Sequence, residues 1–169
     1  EGMVKHETEY DISDAKSYNP DLRAHIEAQI ANAADELAYN AHDLDDGLRS
    51  GILQPNHLNE LTLWQLAKSS INWDGKELTE LTRHRMIRRM IGLQIHQLIT
   101  HTNNQIKNIQ VSSPIDIQKL EFNLVEQSHD YKNYNDEINN LLRSKLFTHP
   151  RVSNMEKTAK TILGKLFTT

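Results

Sequence analysis

From Leu22 to Leu48, small and aliphatic residues return every three or four positions: Leu22, Ile26, Ile30, Ala33, Ala34, Leu37, Ala41, Leu44 and Leu48. That period winds one apolar stripe onto a helix, whereas a strand would need alternation. The spacing predicts one long helix, or two nearly collinear ones, opening at Pro20, whose fixed φ suits a first turn, and ending at Gly51. Pro20, Pro55, Pro114 and Pro150 all fall between helix-period stretches, and the chain has only six glycines. The expected class is all-α.

The same period recurs downstream. Leu58, Leu61, Leu63, Trp64, Leu66 and Ala67 suggest a short buried helix that stops before Asp74-Gly75. Lys76 to Ile109 carries so many apolar residues between Met86 and Ile99 that this helix is expected to be central and to span the core. Pro114 opens a short segment ending near Phe122; Ile138, Leu141, Leu142 and Leu146 share a face between Asp136 and Phe147. Val152 to Phe167 closes with Met155, Ala159, Ile162, Leu163 and Leu166. Residues 1–19 are polar and lack this period, so they read as a connector ahead of a single helical domain at 20–169. The first residue is Glu, which leads us to expect a start inside a longer polypeptide.

Composition narrows the chemistry. With no cysteine there is neither a disulfide scaffold nor a thiolate metal site nor a cysteine nucleophile. Nineteen Lys and Arg against 23 Asp and Glu argue against a nucleic-acid partner. No apolar run approaches the length of a spanning helix, so neither a membrane partner nor an export leader is expected, and a cytoplasmic location is. There is no glycine-rich phosphate loop, nucleophile elbow or HExxH motif.

The first long helix carries the most informative residues. Asp35, Tyr39 and Asp43 stand at i, i+4 and i+8, on one face and spread over about 12 Å. Asp35 lies among Ala31, Ala33, Ala34 and Ala38, where close packing is expected and a charge would need a compensating cation. From spacing alone, however, Asp35 and Asp43 read first as surface acids of an amphipathic helix, alongside Glu27, Glu36 and Asp46, and Tyr39 as a packed ring.

The segment EAQIANAADELAYNAHDLDDGLRSG, Glu27 to Gly51, closely resembles the closing metal-ligand segment of the bacterial deoxyguanosinetriphosphate triphosphohydrolase-like enzymes of the HD superfamily. RHRMIRRMIG (Arg83 to Gly92), LRSKLFTHPRV (Leu142 to Val152), KLF (Lys165 to Phe167) and EGMVKHE (Glu1 to Glu7) resemble other segments of that family, in order. The resemblance implies that residues 20–51 form the closing metal and substrate helix of an HD core and 52–169 a C-terminal helical region. It also implies cleavage of a deoxynucleoside triphosphate to deoxynucleoside and triphosphate, with a divalent metal, Mg or Mn.

By position within the motif, Asp35 matches the final metal Asp, Tyr39 the tyrosine at the phosphates and sugar, and Asp43 the carboxylate that takes the ribose 3′-hydroxyl. A hard carboxylate oxygen suits Mg or Mn. His42-Asp43 spells the superfamily's doublet but matches a different position, so His42 is not expected to be a ligand. The family's first His and true His-Asp doublet precede the matched region. The isolated chain is therefore expected to be inactive, not to retain the metal, and to need the N-terminal HD segment as partner.

Weaker phosphate candidates are Lys5, Arg85 and Arg89; for the arginine cluster, ion pairing with Glu77 and Glu80 is the favoured alternative. The other histidines show no three-ligand spacing. The expected function is part of a deoxynucleoside triphosphate hydrolase that forms homo-oligomers; the alternative is a noncatalytic nucleotide-binding or oligomerisation module.

Overall fold

The computed structural model describes Lys5, residues 21–109 and residues 111–167. Among these residues all regular structure is helical, as the apolar period requires. The order is α1 (Ile26–Arg49), a 3₁₀ turn (Pro55–Leu58), α2 (Thr62–Ser70), α3 (Glu80–Ile109), α4 (Pro114–Gln118), α5 (His129–Leu141), a π-helical turn (Leu142–Phe147) and α6 (Pro150–Phe167). No helix among the described residues is long and apolar enough to cross a membrane. The remainder of the 1–19 connector, and Pro20 with it, lie outside the described residues.

Helix α1 starts later than its apolar period suggested. His25 is extended and its Nδ1 accepts the Ala28 N–H at 3.3 Å, satisfying one of the orphan donors of the first turn. Residues 21–25 lead into this cap without being helical. At the other end Gly51 takes φ +73°, the left-handed conformation that a Cβ disfavours, and the chain folds back with the Leu53 N–H on the Gly47 carbonyl at 2.9 Å.

The main core joins Ala41 and Leu44 of α1, Trp64 and Ala67 of α2, and Met86 and Met90 of α3. Ile138 of α5 and Leu142 and Leu146 of the π-helical turn close it. A smaller cluster forms around Leu37, Leu98 and Val125. Helix α3 is central, packed against both α1 and α2. Its apolar run is not buried all round, since Ile95 and Ile99 are 44% and 55% exposed. Helix α6 likewise leaves Met155, Ile162, Leu163, Leu166 and Phe167 uncovered by the described residues.

Two polar contacts fix the packing. The Arg83 guanidinium of α3, buried, pairs with Asp45 of α1 and lies 3.9 Å from Glu80. Glu137 of α5 accepts both the Thr62 N–H, at 2.7 Å, and the Thr62 hydroxyl, at 2.9 Å. Leu61, the residue preceding α2, has no capping side chain of its own, so a carboxylate from another helix caps α2.

Candidate functional site

The packed face of α1 is set by Leu37, Asn40, Ala41 and Leu44. Asp35 and Tyr39 are each two residues from Leu37, which turns them about 200° away from it. Both are therefore exposed. This corrects one expectation: the alanines around Asp35 do not close on it, since Ala31 and Ala34 are exposed, and the carboxylate sits at a surface instead of in tight packing.

That surface is concave. Asp35 and Tyr39 line a cleft of about 670 Å³ between the first half of α1, the segment 123–127 and the start of α5. Its wall is unusually rich in carboxamides, among them Gln29, Asn32, Asn40, Gln127 and Asn135, and also carries Glu36, Glu126 and Asp136. The one lysine in the lining, Lys132, is paired with Glu126 at 2.6 Å. Burial pushes the Glu36 carboxyl above its ordinary pKa; Lys132 opposes this and Asp136 adds to it.

One turn beyond Tyr39 on the same face of α1, Asp43 is half-buried. Desolvation raises its pKa and Asp46 adds to the rise, while the Tyr39 hydrogen bond and neighbouring His42 act in the opposite direction. A carboxylate in this condition favours a neutral hydroxyl donor over a second anion, because desolvation and Asp46 already disfavour negative charge there. The Tyr39 ring is braced by Phe147, with centroids 6.4 Å apart and planes at 49°. Phe147 ends the π-helical turn whose Leu142 and Leu146 are anchored in the core. The ring that faces the cleft is thus held from below by an irregular turn, a frequent companion of functional sites.

The other sequence candidates fall elsewhere. Lys5 is buried and its Nζ donates to the Leu22 carbonyl at 2.8 Å, close to the start of α1 and outside the cleft lining. Arg89 donates from Nε to the Ser70 hydroxyl of α2 at 2.6 Å, and neither it nor exposed Arg85 lines the cleft. Within the arginine cluster Arg83 has its interhelical ion pair with Asp45, which spacing along α3 alone does not indicate. His42 is exposed beside Asp43.

A divalent cation such as Mg takes about six oxygen ligands. Among the described residues no group of three or more His, Asp or Glu side chains is placed to hold one. Asp35 alone does not make a metal site, so any metal chemistry would need ligands from beyond this set.

What sequence reasoning missed is the carboxamide wall. Its members come from α1 and from residues more than 80 positions later, and no local period links them. The face built by Asp35, Tyr39 and Asp43 was legible because it follows the helical repeat.

No family model matches the chain. It is similar to the deoxyguanosinetriphosphate triphosphohydrolase-like protein of Geobacter sulfurreducens, with 35% identity over 170 residues covering 99% of this chain and 44% of the relative. The protein of the same name from Bartonella quintana is 32% identical over 183 residues, covering 99% of this chain and 46% of the relative. A third relative, deoxyguanosinetriphosphate triphosphohydrolase-like protein 1 of Deinococcus radiodurans, is 34% identical over 142 residues, 84% of this chain and 38% of its own length. Nearly all of this chain is therefore similar to a stretch of the deoxyguanosinetriphosphate triphosphohydrolase-like proteins that amounts to less than half of their length.

Proposed function

We propose that this chain is the C-terminal helical portion of a metal-dependent deoxynucleoside triphosphate triphosphohydrolase. The observation that carries the reading is the placement of Asp35, Tyr39 and Asp43 on one face of α1, with Asp35 and Tyr39 lining a cleft, in the segment that most resembles the family. Asp35 would give one carboxylate oxygen to a Mg or Mn ion whose remaining protein ligands belong to an N-terminal HD segment. Tyr39 lies between the ends of the stripe and meets the phosphates and sugar. Asp43 accepts the ribose 3′-hydroxyl, one turn beyond Tyr39 on the same face.

In this reaction water attacks the phosphorus that carries the 5′-oxygen. A new P–O bond forms, the bond to the 5′-oxygen breaks, and the departing oxygen takes up a proton to leave the deoxynucleoside. Residues of this chain orient the substrate for that displacement, and orientation alone removes a large part of the barrier.

The second reading is a noncatalytic module that contributes helices to an assembly. It is favoured by the uncovered apolar face of α6, from Met155 to Phe167, which suits contact with further protein, including a second copy in a homo-oligomer. One experiment separates the two. The 169-residue chain alone, supplied with Mg or Mn, should release no triphosphate from dGTP, and joining it to an upstream segment bearing a His and a His-Asp doublet should restore turnover. Release of triphosphate by the pure chain would refute the ligand assignment, and a joined protein that binds metal and nucleotide without turnover would favour the module.

A further inference from the structure

The winding of the turn at Leu142–Phe147 decides which side chain stands beside Tyr39. Ile138 of α5 and Leu142 belong to the main core. Continued at about 100° per residue, an α-helix would return Lys145 to that core direction, leave Leu146 at its edge and turn Phe147 to the opposite side. The i→i+5 winding of a π-helix advances only roughly 80° per residue, so four steps bring Leu146 back into line with Leu142 and leave Phe147 on the flank of the core. The side chains follow that second course. Leu146 is buried, Lys145 is exposed, and Phe147 is half-buried against the core. With Lys, Leu and Phe in this order, regular winding would bury a cation and expose a ring, and the turn avoids both.

On that flank the Phe147 ring meets Tyr39, with centroids 6.4 Å apart and planes at 49°, inside the usual range for a tilted aromatic pair. Tyr39 is 40% exposed and lines the cleft, whereas Phe147 does not line it. A tyrosine on a helix has two ordinary χ1 wells, since the third drives the ring into the preceding turn. Without a neighbour it would divide its time between them. A ring fixed to one side, on a turn whose two leucines are anchored in the core, favours the well in which the two rings touch. The phenyl ring has no hydrogen-bond donor, acceptor or charge and stands outside the cleft lining, so its effect on a bound ligand passes through Tyr39.

We propose that Phe147 is a positioning residue for Tyr39: the π-helical turn carries its ring to the flank of the core, and the ring contact holds the tyrosine in the one rotamer that faces the cleft. This rests on the reading that Tyr39 meets the phosphates and sugar of a deoxynucleotide, and it adds the group that keeps Tyr39 ready for them. A substrate that meets a dispersed tyrosine binds only the molecules in the competent rotamer, so its apparent affinity falls with that fraction. Once the site is full the rotamer is chosen, and the chemical step proceeds as before. Losing Phe147 therefore raises KM and spares kcat.

Two readouts test this. In the 169-residue chain, NMR three-bond couplings at Tyr39 should report a single χ1 rotamer. Phe147→Leu, which keeps an apolar side chain, should average them between two rotamers, and Phe147→Tyr, which keeps a ring, should preserve the single one. In a full-length protein carrying the upstream His and His-Asp doublet, Phe147→Leu should raise KM for a deoxynucleoside triphosphate about three- to tenfold, with kcat within about twofold. In a Tyr39→Ala background the same substitution should change KM by less than about 1.5-fold, because its effect has lost its route. Averaged couplings at Tyr39 in the unaltered chain, unchanged couplings in Phe147→Leu, or an equal rise in KM with and without Tyr39 overturns the proposal. The first of these needs no variant, so a Phe147→Leu chain that fails to fold does not shield it. Released couplings with KM unmoved would leave Phe147 as the group that holds Tyr39 and remove Tyr39 from the substrate, a failure of the hydrolase reading and not of the positioning.

Discussion

The Arg83 guanidinium reaches across the α1–α3 interface to the Asp45 carboxylate, and the arginine side chain is far more buried than its partner. The pair is therefore asymmetric. Deleting the acid strands a buried cation, whereas replacing the arginine by an apolar side chain of similar length leaves an acid that water can still reach. Asp45→Ala should destabilise the chain by about 3 kcal/mol, and Arg83→Met by clearly less. Urea unfolding of both variants checks the order; equal losses would show that the pair is not buried as described.

Gly47 is a close approach. A Cβ there would lie 2.5 Å from Leu53 Cδ1 and 2.7 Å from its Cγ, and Leu53 is fully buried where the chain turns back onto α1. In an exposed helix Gly→Ala would stabilise, but here overpacking dominates, with an expected loss of about 1 to 3 kcal/mol. A thermal midpoint that rises in Gly47→Ala would contradict this packing.

Asp43 gives a pH dependence with a definite sign. Its pKa is raised in the folded chain, so the folded state holds the proton more tightly than the unfolded state does. Stability contributed by this group is present at acid pH and is lost as pH rises from about 4, the unfolded value, through the folded value. Asp43→Asn keeps an acceptor for the Tyr39 hydroxyl and removes the desolvated charge. The variant should melt above the unaltered chain at pH 7, with the gap closing below about pH 4. A gap that widens on acidification would mean that the pKa is lowered instead.

The apolar repeat on Leu37, Ala41 and Leu44 makes α1 legible, and the same repeat places Asp35, Tyr39 and Asp43 on one side of it. The start of α1 was not legible, because the imidazole cap of His25 sets it and a histidine is not a usual capping residue. The α2 cap was equally hidden, since Glu137 lies 75 positions from Thr62. The π-helical turn at Leu142 interrupts a run that reads as plain helix. The carboxamide wall depends on Gln94, Gln127 and Asn135 meeting across α3 and α5, a consequence of tertiary packing that no window of sequence contains.

Under the proposed hydrolase function, Asp35 and Asp43, two turns apart on α1, act on different parts of one substrate. In a full-length protein carrying the upstream His and His-Asp doublet, kcat/KM for a deoxynucleoside triphosphate and for its 3′-deoxy analogue should be measured for the unaltered protein and for Asp35→Ala and Asp43→Ala, with bound metal determined for each. Asp35→Ala should lose the metal and nearly all turnover of both substrates. Asp43→Ala should keep the metal and lose on the order of 1.5 to 3 kcal/mol, about ten- to a hundredfold, on the 3′-hydroxyl substrate while barely changing the 3′-deoxy one. Equal impairment of both substrates by Asp43→Ala, or loss of metal from that variant, would contradict the assignment of Asp43 to the sugar and with it the division of labour along α1.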